Sequence, residues 1–142
     1  MAIVIKRTQE TSLAKQVEHY SDFLLGLNID PIKRDVLRNT NEEAVKGSIR
    51  NILLTNRGDR LYDSNFGSDI RKILFENFSP AMESVLADLI RTAIENHEPR
   101  ANIIDIIVNS DVDNHYVVVT LIFSVINKEE PITLELILNR IR

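Results

Sequence analysis

From Val45 to His97 apolar residues recur three and four positions apart; beyond Pro99 they recur at every second position. That change of period predicts helices followed by strands. Val45, Ile49, Ile52 and Leu53 mark one apolar face of a helix that ends near Leu54. Ahead of it, Thr40-Asn41-Glu42-Glu43 reads as a capping box, with the Thr40 hydroxyl and the Glu43 carboxylate satisfying backbone donors at the helix start. After a glycine-containing loop over 55–67, Ser68 or Asp69 caps a short helix that carries Ile70, Ile73, Leu74 and Phe75 inward. Ser79-Pro80 then opens the strongest helix, with serine as cap and proline at the first helical position. Met82, Val85, Leu86, Leu89, Ile90, Ala93, Ile94 and His97 form its apolar stripe.

Beyond Pro99 the alternation predicts strands over 103–108, 115–126 and 132–138. Both faces of the middle strand are fairly apolar, which predicts cover on both sides. The first 39 residues are weakly patterned, with short edge strands expected at 2–6 and 21–27. The chain therefore reads as α+β. An extended N-terminal arm over 1–39 precedes a single domain over 40–142, whose helices lead into an antiparallel sheet of about three strands.

Composition narrows the functions. Seventeen basic residues stand against 21 acidic ones, so no basic excess points to nucleic acid. No apolar run approaches a membrane span, and the N-terminal run lacks the order of a signal peptide, so a soluble, unsecreted protein is expected. With no cysteine, disulfides, thiolate nucleophiles and thiolate zinc sites are ruled out. His19, His97 and His115 have no metal-ligand spacing, and Asp111, Asp113 and Asn114 lack the glycine and closing glutamate of a calcium loop. Neither a phosphate-binding glycine loop nor a nucleophile elbow occurs. No catalytic residue, cofactor or metal is assigned.

Two features ask for more than a fold. The last strand, Ile132, Thr133, Leu134, Glu135, Leu136, Ile137 and Leu138, offers a long edge with Glu135 as its outward charge. Either a strand of another chain or the N-terminal strand of the same chain would satisfy that edge. The other feature is Glu98-Pro99-Arg100 at the helix–strand junction. Proline explains the helix stop. A glutamate there meets the negative end of the helix dipole, at a cost of about 0.3–1 kcal/mol if exposed, so Arg100 or a partner's arginine is expected beside it.

Taken in order, several motifs resemble one family. They are Asn41-Glu42-Glu43-Ala44-Val45-Lys46, then Ser48-Ile49-Arg50-Asn51-Ile52-Leu53-Leu54-Thr55, Gly58-Asp59-Arg60, Phe66-Gly67-Ser68, Leu74-Phe75-Glu76-Asn77 and Glu98-Pro99-Arg100, with a weaker echo in Tyr20-Ser21-Asp22-Phe23. The family is that of baseplate wedge proteins that initiate the sheath of contractile-tailed bacteriophages, shared with the type VI secretion baseplate. One departure is Ser64-Asn65, where the family often has a proline before Phe66-Gly67.

The resemblance implies a non-enzymatic part of the virion tail baseplate, assembled in the host bacterial cytoplasm. Its partners would be other wedge proteins, the tail sheath protein and, as a further candidate, the central hub or tube. It implies that the C-terminal sheet resembles the interlocking domain of the sheath protein and pairs strands with the first sheath ring. It also implies that Val45, Ile49, Ile52 and Leu53 lie on a wedge-bundle helix, and that Glu98, Pro99 and Arg100 form the interaction motif. Two alternatives stay open. One is a peptidoglycan-degrading hydrolase, as the family's lysozyme label implies, although Arg100 would lower a pKa that a general acid needs raised. The other is a small binding module.

Overall fold

The computed structural model describes residues 19–24, 26–76, 79–111, 115–126 and 128–139. The strand expected at 2–6 lies outside these residues, as do Asp113 and Asn114 of the calcium-loop reading. Short strands β1 (Ser21–Phe23) and β2 (Arg38–Thr40) pair antiparallel as a hairpin. Helices α1 (Asn41–Leu54), α2 (Ile70–Leu74) and α3 (Pro80–His97) follow. Strands β3 (Ala101–Asp111), β4 (Tyr116–Val125) and β5 (Lys128–Asn139) close the chain as an antiparallel meander in the order β3-β4-β5. The α+β reading holds; β3 and β5 are longer than the alternation alone implied because cross-strand pairing carries their polar ends into the ladder, while β4 is one residue shorter at each end.

Helices lie on one face of the sheet. Val45, Ile49 and Ile52 of α1, Leu86, Ile90 and Ile94 of α3, and Val117, Val119, Leu121 and Phe123 of β4 are fully buried in one core. Ile132, Leu134, Leu136 and Leu138 of β5 complete it. Burying a side chain of this size contributes about 1.5–3 kcal/mol, so β5 is part of the domain's foundation. The α3 stripe is narrower than predicted, because Val85 is exposed. Cover on both sheet faces is not supplied by the described residues: Ile107 and Ile137 on the far face stay exposed.

Helix starts follow two different chemistries. Ser79 Oγ accepts a hydrogen bond from the Met82 amide at 3.2 Å, and Pro80 occupies the first turn. Thr40, in contrast, makes no side-chain cap. Asn41 adopts a positive φ of 49°, a conformation asparagine tolerates better than most residues. Its side-chain oxygen accepts from the His19 and Tyr20 amides, and its own amide donates to the Tyr20 carbonyl. Glu43 instead pairs with Lys46 at 2.7 Å. The capping box gives way to a tether between α1 and the hairpin.

The loop between α1 and α2 folds back on itself. Ser68 is buried, its hydroxyl donating to the Leu53 carbonyl at 2.8 Å and its amide to the Thr55 carbonyl at 2.9 Å. Gly67, with φ of 110°, sits where any Cβ would overlap the Thr55 carbonyl. Phe66 packs between the Arg60 guanidinium and the His97 ring. This joins the loop to the last turn of α3.

Candidate functional site

The chain turns from α3 to β3 at Glu98-Pro99-Arg100. Glu98 caps the helix with extended φ (−129°), its amide donating to the Ile94 carbonyl at 2.8 Å. Its side chain then points inward and is only 2% exposed. Arg100 meets it with a bidentate fork, Nε to Oε1 at 2.5 Å and Nη2 to Oε2 at 2.7 Å. The Ser48 hydroxyl of α1 donates to the same carboxylate. Burial pushes the Glu98 pKa up, but the hydrogen bonds from Arg100 and Ser48 and the Arg100 charge outweigh it. The carboxyl is held below its ordinary value.

The acid set against the helix dipole is therefore offset within the chain. A buried carboxylate needs charge and hydrogen bonds together to stay ionised, and this one has both. Arg100 is less enclosed, with its side chain 31% exposed. Its guanidinium lies 5.2 Å from the Tyr20 ring centre, within cation–π range. Pro99 is exposed. One motif thus ties four places in the chain: α3, β3, α1 through Ser48 and the hairpin through Tyr20.

Sequence reasoning found the Glu98–Arg100 pair and missed Ser48 and the tether through Asn41. Ser48 is fifty residues from Glu98, and although it opens one of the family-like motifs, nothing in its local pattern pairs it with Glu98. Tyr20 does carry one, in the Tyr20-Ser21-Asp22-Phe23 echo. His97, expected to be packed near the helix end, lies with its ring centre 5.1 Å from that of Phe66. Val45, Ile49, Ile52 and Leu53 are all buried within this chain's own core. Among the described residues, no group of three or more His, Asp or Glu side chains is placed to hold a metal.

The sheet's two edges differ. In β3 a register shift between Ile103 and Asp105 leaves Ile104 bulged and 53% exposed, a device that blunts an edge. β5 pairs with β4 on one side, and among the described residues nothing pairs with its other side. Along that edge Ile132, Leu134, Leu136 and Leu138 turn into the core, while Thr133, Glu135 and Ile137 face outward. The regular edge runs from Ile132 to Asn139; between Lys128 and Ile132 a register shift and Pro131 interrupt it.

A family model described as baseplate wedge protein gp25 matches residues 39–129. Baseplate wedge protein gp25 of Enterobacteria phage T4 is 32% identical over 113 residues, covering 80% of this chain and 85% of that protein. Among solved structures, a tail lysozyme candidate from Geobacter sulfurreducens superposes with a TM-score of 0.67 at 20% identity, over 71% of this chain and 92% of that one. A chain of the anti-feeding prophage baseplate gives 0.61 at 20% identity over 87% of both chains. A chain of the postcontracted pyocin R2 baseplate gives 0.53 at 25% identity, over 68% of this chain and 93% of that one.

Proposed function

The chain belongs to the family of baseplate wedge protein gp25, structural components of contractile-tail baseplates, and from that premise we propose that it joins the wedge to the sheath. In this reading β5 offers its outer edge to a strand of the first ring of sheath subunits, and the ladder formed there starts the sheath. The observation that carries the proposal is the edge itself. Along the regular ladder from Ile132 to Asn139, alternate residues present backbone groups with no partner among the described residues, and that stretch holds no lysine, arginine or proline; the strand's register shift and Pro131 lie ahead of it. Natural proteins seldom leave such an edge unless something pairs with it.

The partners on the wedge side are other baseplate wedge proteins, with the hub or tube as a further candidate. The motif's partner-facing parts are Pro99 and the exposed third of Arg100, since Glu98 is spent inside the chain. Residues 1–39 act as the arm and 40–142 as the domain it ties down. We assign assembly to the host bacterial cytoplasm, where a cysteine-free chain has no need of oxidation.

The protein acts without catalysis in this account. A glycosidase needs a carboxylic acid with a raised pKa and a second carboxylate across a sugar-binding cleft. Glu98 has the opposite environment: its pKa is lowered, its oxygens are occupied, and the charge acting on it is the Arg100 cation.

The absence of native cysteine makes single cysteines unambiguous probes. In particles assembled with Thr133→Cys or Ile137→Cys, each carrying a short thiol-attached photo-cross-linker, illumination should join β5 to a strand of the sheath subunit. Cross-links confined to wedge proteins, with the sheath present and polymerised, would sink the proposal.

A further inference from the structure

The unpaired edge of β5 changes character toward its end. There it borders a cleft of about 180 Å³ whose lining includes Leu54 of α1, Arg71 and Leu74 of α2, Phe75, Ile137 and Leu138. Side chains of consecutive strand residues point to opposite faces, so a cleft bordered by both Ile137 and Leu138 lies beside the strand instead of over one face of the sheet. No residue of β4 lines it, which places it on the side of β5 that no described strand occupies. Leu54 is 53% exposed, while Leu74 and Leu138 are buried. Residues of α1 and α2 therefore carry the helical layer past the last strand of the sheet. They leave beside β5 a space that the described residues do not fill.

One more strand fits that space. A strand paired with β5 lies about 4.8 Å from it, and the residue opposite Leu138 shares its face, with a Cβ about 4.5–5.5 Å away. That side chain enters the cleft between β5 and the helices. It is large and apolar, because leucines, Ile137 and Phe75 make up most of the lining and an apolar cavity of about 150 Å³ takes up a benzene ring. Charge adds a second requirement. Arg71 is exposed at the cleft without an ion pair among the described residues, whereas the neighbouring Lys72 meets Asp69 at 2.8 Å. An acidic residue beside the apolar one would complete it. Backbone pairing alone accepts many sequences, and side-chain pockets along the edge discriminate between them. Such pockets also fix register, because a slip of one residue turns every side chain to the other face.

We propose that this cleft selects and registers the strand that β5 receives. A large aliphatic or aromatic side chain opposite Leu138 inserts between β5 and the ends of α1 and α2, with a carboxylate of the same segment on Arg71. The inference rests on the reading of β5 as the edge that pairs with the sheath, and it goes beyond that reading by naming the side chains the incoming strand must carry. A strand slipped by one residue would turn its apolar side chain to water and leave the cleft unfilled. The sheath therefore starts from one register.

The test uses assembled particles and two labelled positions. Leu54→Cys, carrying a short thiol-attached photo-cross-linker, should join the same sheath segment that labelled Thr133→Cys reaches, at or beside a large apolar residue. Leu54→Glu, at a half-exposed position and checked for unchanged melting, sets a carboxylate against that residue. It should slow sheath initiation on assembled baseplates by about tenfold or more, while Leu54→Met keeps the native rate. Arg71→Glu sets like charges together and should slow initiation by about threefold or more. If labelled Thr133 reaches the sheath and labelled Leu54 does not, the cleft proposal is overturned and strand pairing stands. If neither position reaches the sheath, strand pairing fails and the cleft proposal fails with it. Cross-links from position 54 to residues 1–18 or 140–142 of this chain, or to a wedge protein alone, would name another occupant and overturn the proposal. Native initiation by Leu54→Glu would overturn it as well.

Discussion

Replacing Arg100 by methionine keeps most of the side-chain stem and removes the cation. Glu98, 2% exposed, is then left with Ser48 and the local backbone as partners. Removing one member of a buried ion pair costs about 3–5 kcal/mol, because the remaining charge stays buried without compensation. The reverse change, Glu98→Gln, should cost less. Arg100 keeps about a third of its surface in water and the amide preserves the shape, so the loss is that of a charged hydrogen bond, about 1.5–3 kcal/mol. The double variant should fall below the sum of the two, since neither member is left stranded.

The pH dependence follows the same logic with opposite signs. In the native protein Glu98 has a lowered pKa. Its contribution is present above the unfolded value of about 4.3 and is lost as pH falls through the depressed folded value. In Arg100→Met the stranded carboxylate has a raised pKa, so its penalty is full at neutral pH and disappears as protonation relieves it. Urea denaturation at neutral pH and again near pH 4 should therefore show the gap between native protein and Arg100→Met shrinking in acid. A gap under about 1 kcal/mol at pH 7, typical of a solvated pair, would refute the buried-bridge reasoning. A gap that does not change with pH would do the same.

Other perturbations separate features that look alike in sequence. Gly67→Ala forces a Cβ into the Thr55 carbonyl at a φ of 110° and should destabilise by about 1–3 kcal/mol or more; melting unchanged within experimental error would contradict the loop geometry. Ser79→Ala removes the hydroxyl that caps α3 and should cost about 0.5–2 kcal/mol. Thr40→Ala makes the same chemical change at a helix start but removes no cap, so denaturation should place it within about 0.5 kcal/mol of the native protein. Equal losses for the two would restore the capping-box reading.

Those two helix starts show what was legible in the sequence. Ser79-Pro80 works through neighbours three residues away, and local pattern captured it. Thr40 to Glu43 has the same local pattern, but Asn41 turns to the backbone of His19 and Tyr20, a contact across more than twenty residues. No local rule weighs that competition. Periodicity located the helices, the meander and the inward-facing residues of β5, because a one-residue slip would turn a whole apolar face to water. It overextended the α3 stripe to Val85, since spacing cannot tell how much of a stripe the sheet reaches.

At the junction, dipole and proline chemistry explained why Arg100 should neutralise Glu98. They could not show that the carboxylate is buried or that Ser48 of α1 closes its shell. Burial is a property of the packed whole, and here it assigns the acid to the fold while leaving Pro99 and part of Arg100 at the surface.

The central claim concerns the outer edge of β5, and amide hydrogen exchange tests it most directly. In the isolated chain, alternate β5 amides between Ile132 and Leu138 should exchange quickly while those bonded to β4 stay protected, because one side of the strand is unpaired. In baseplates bearing polymerised sheath, the fast set should slow to the level of the β4 ladder. Full protection of both sets in the isolated chain, or a fast set that sheath assembly leaves unchanged, would contradict the account.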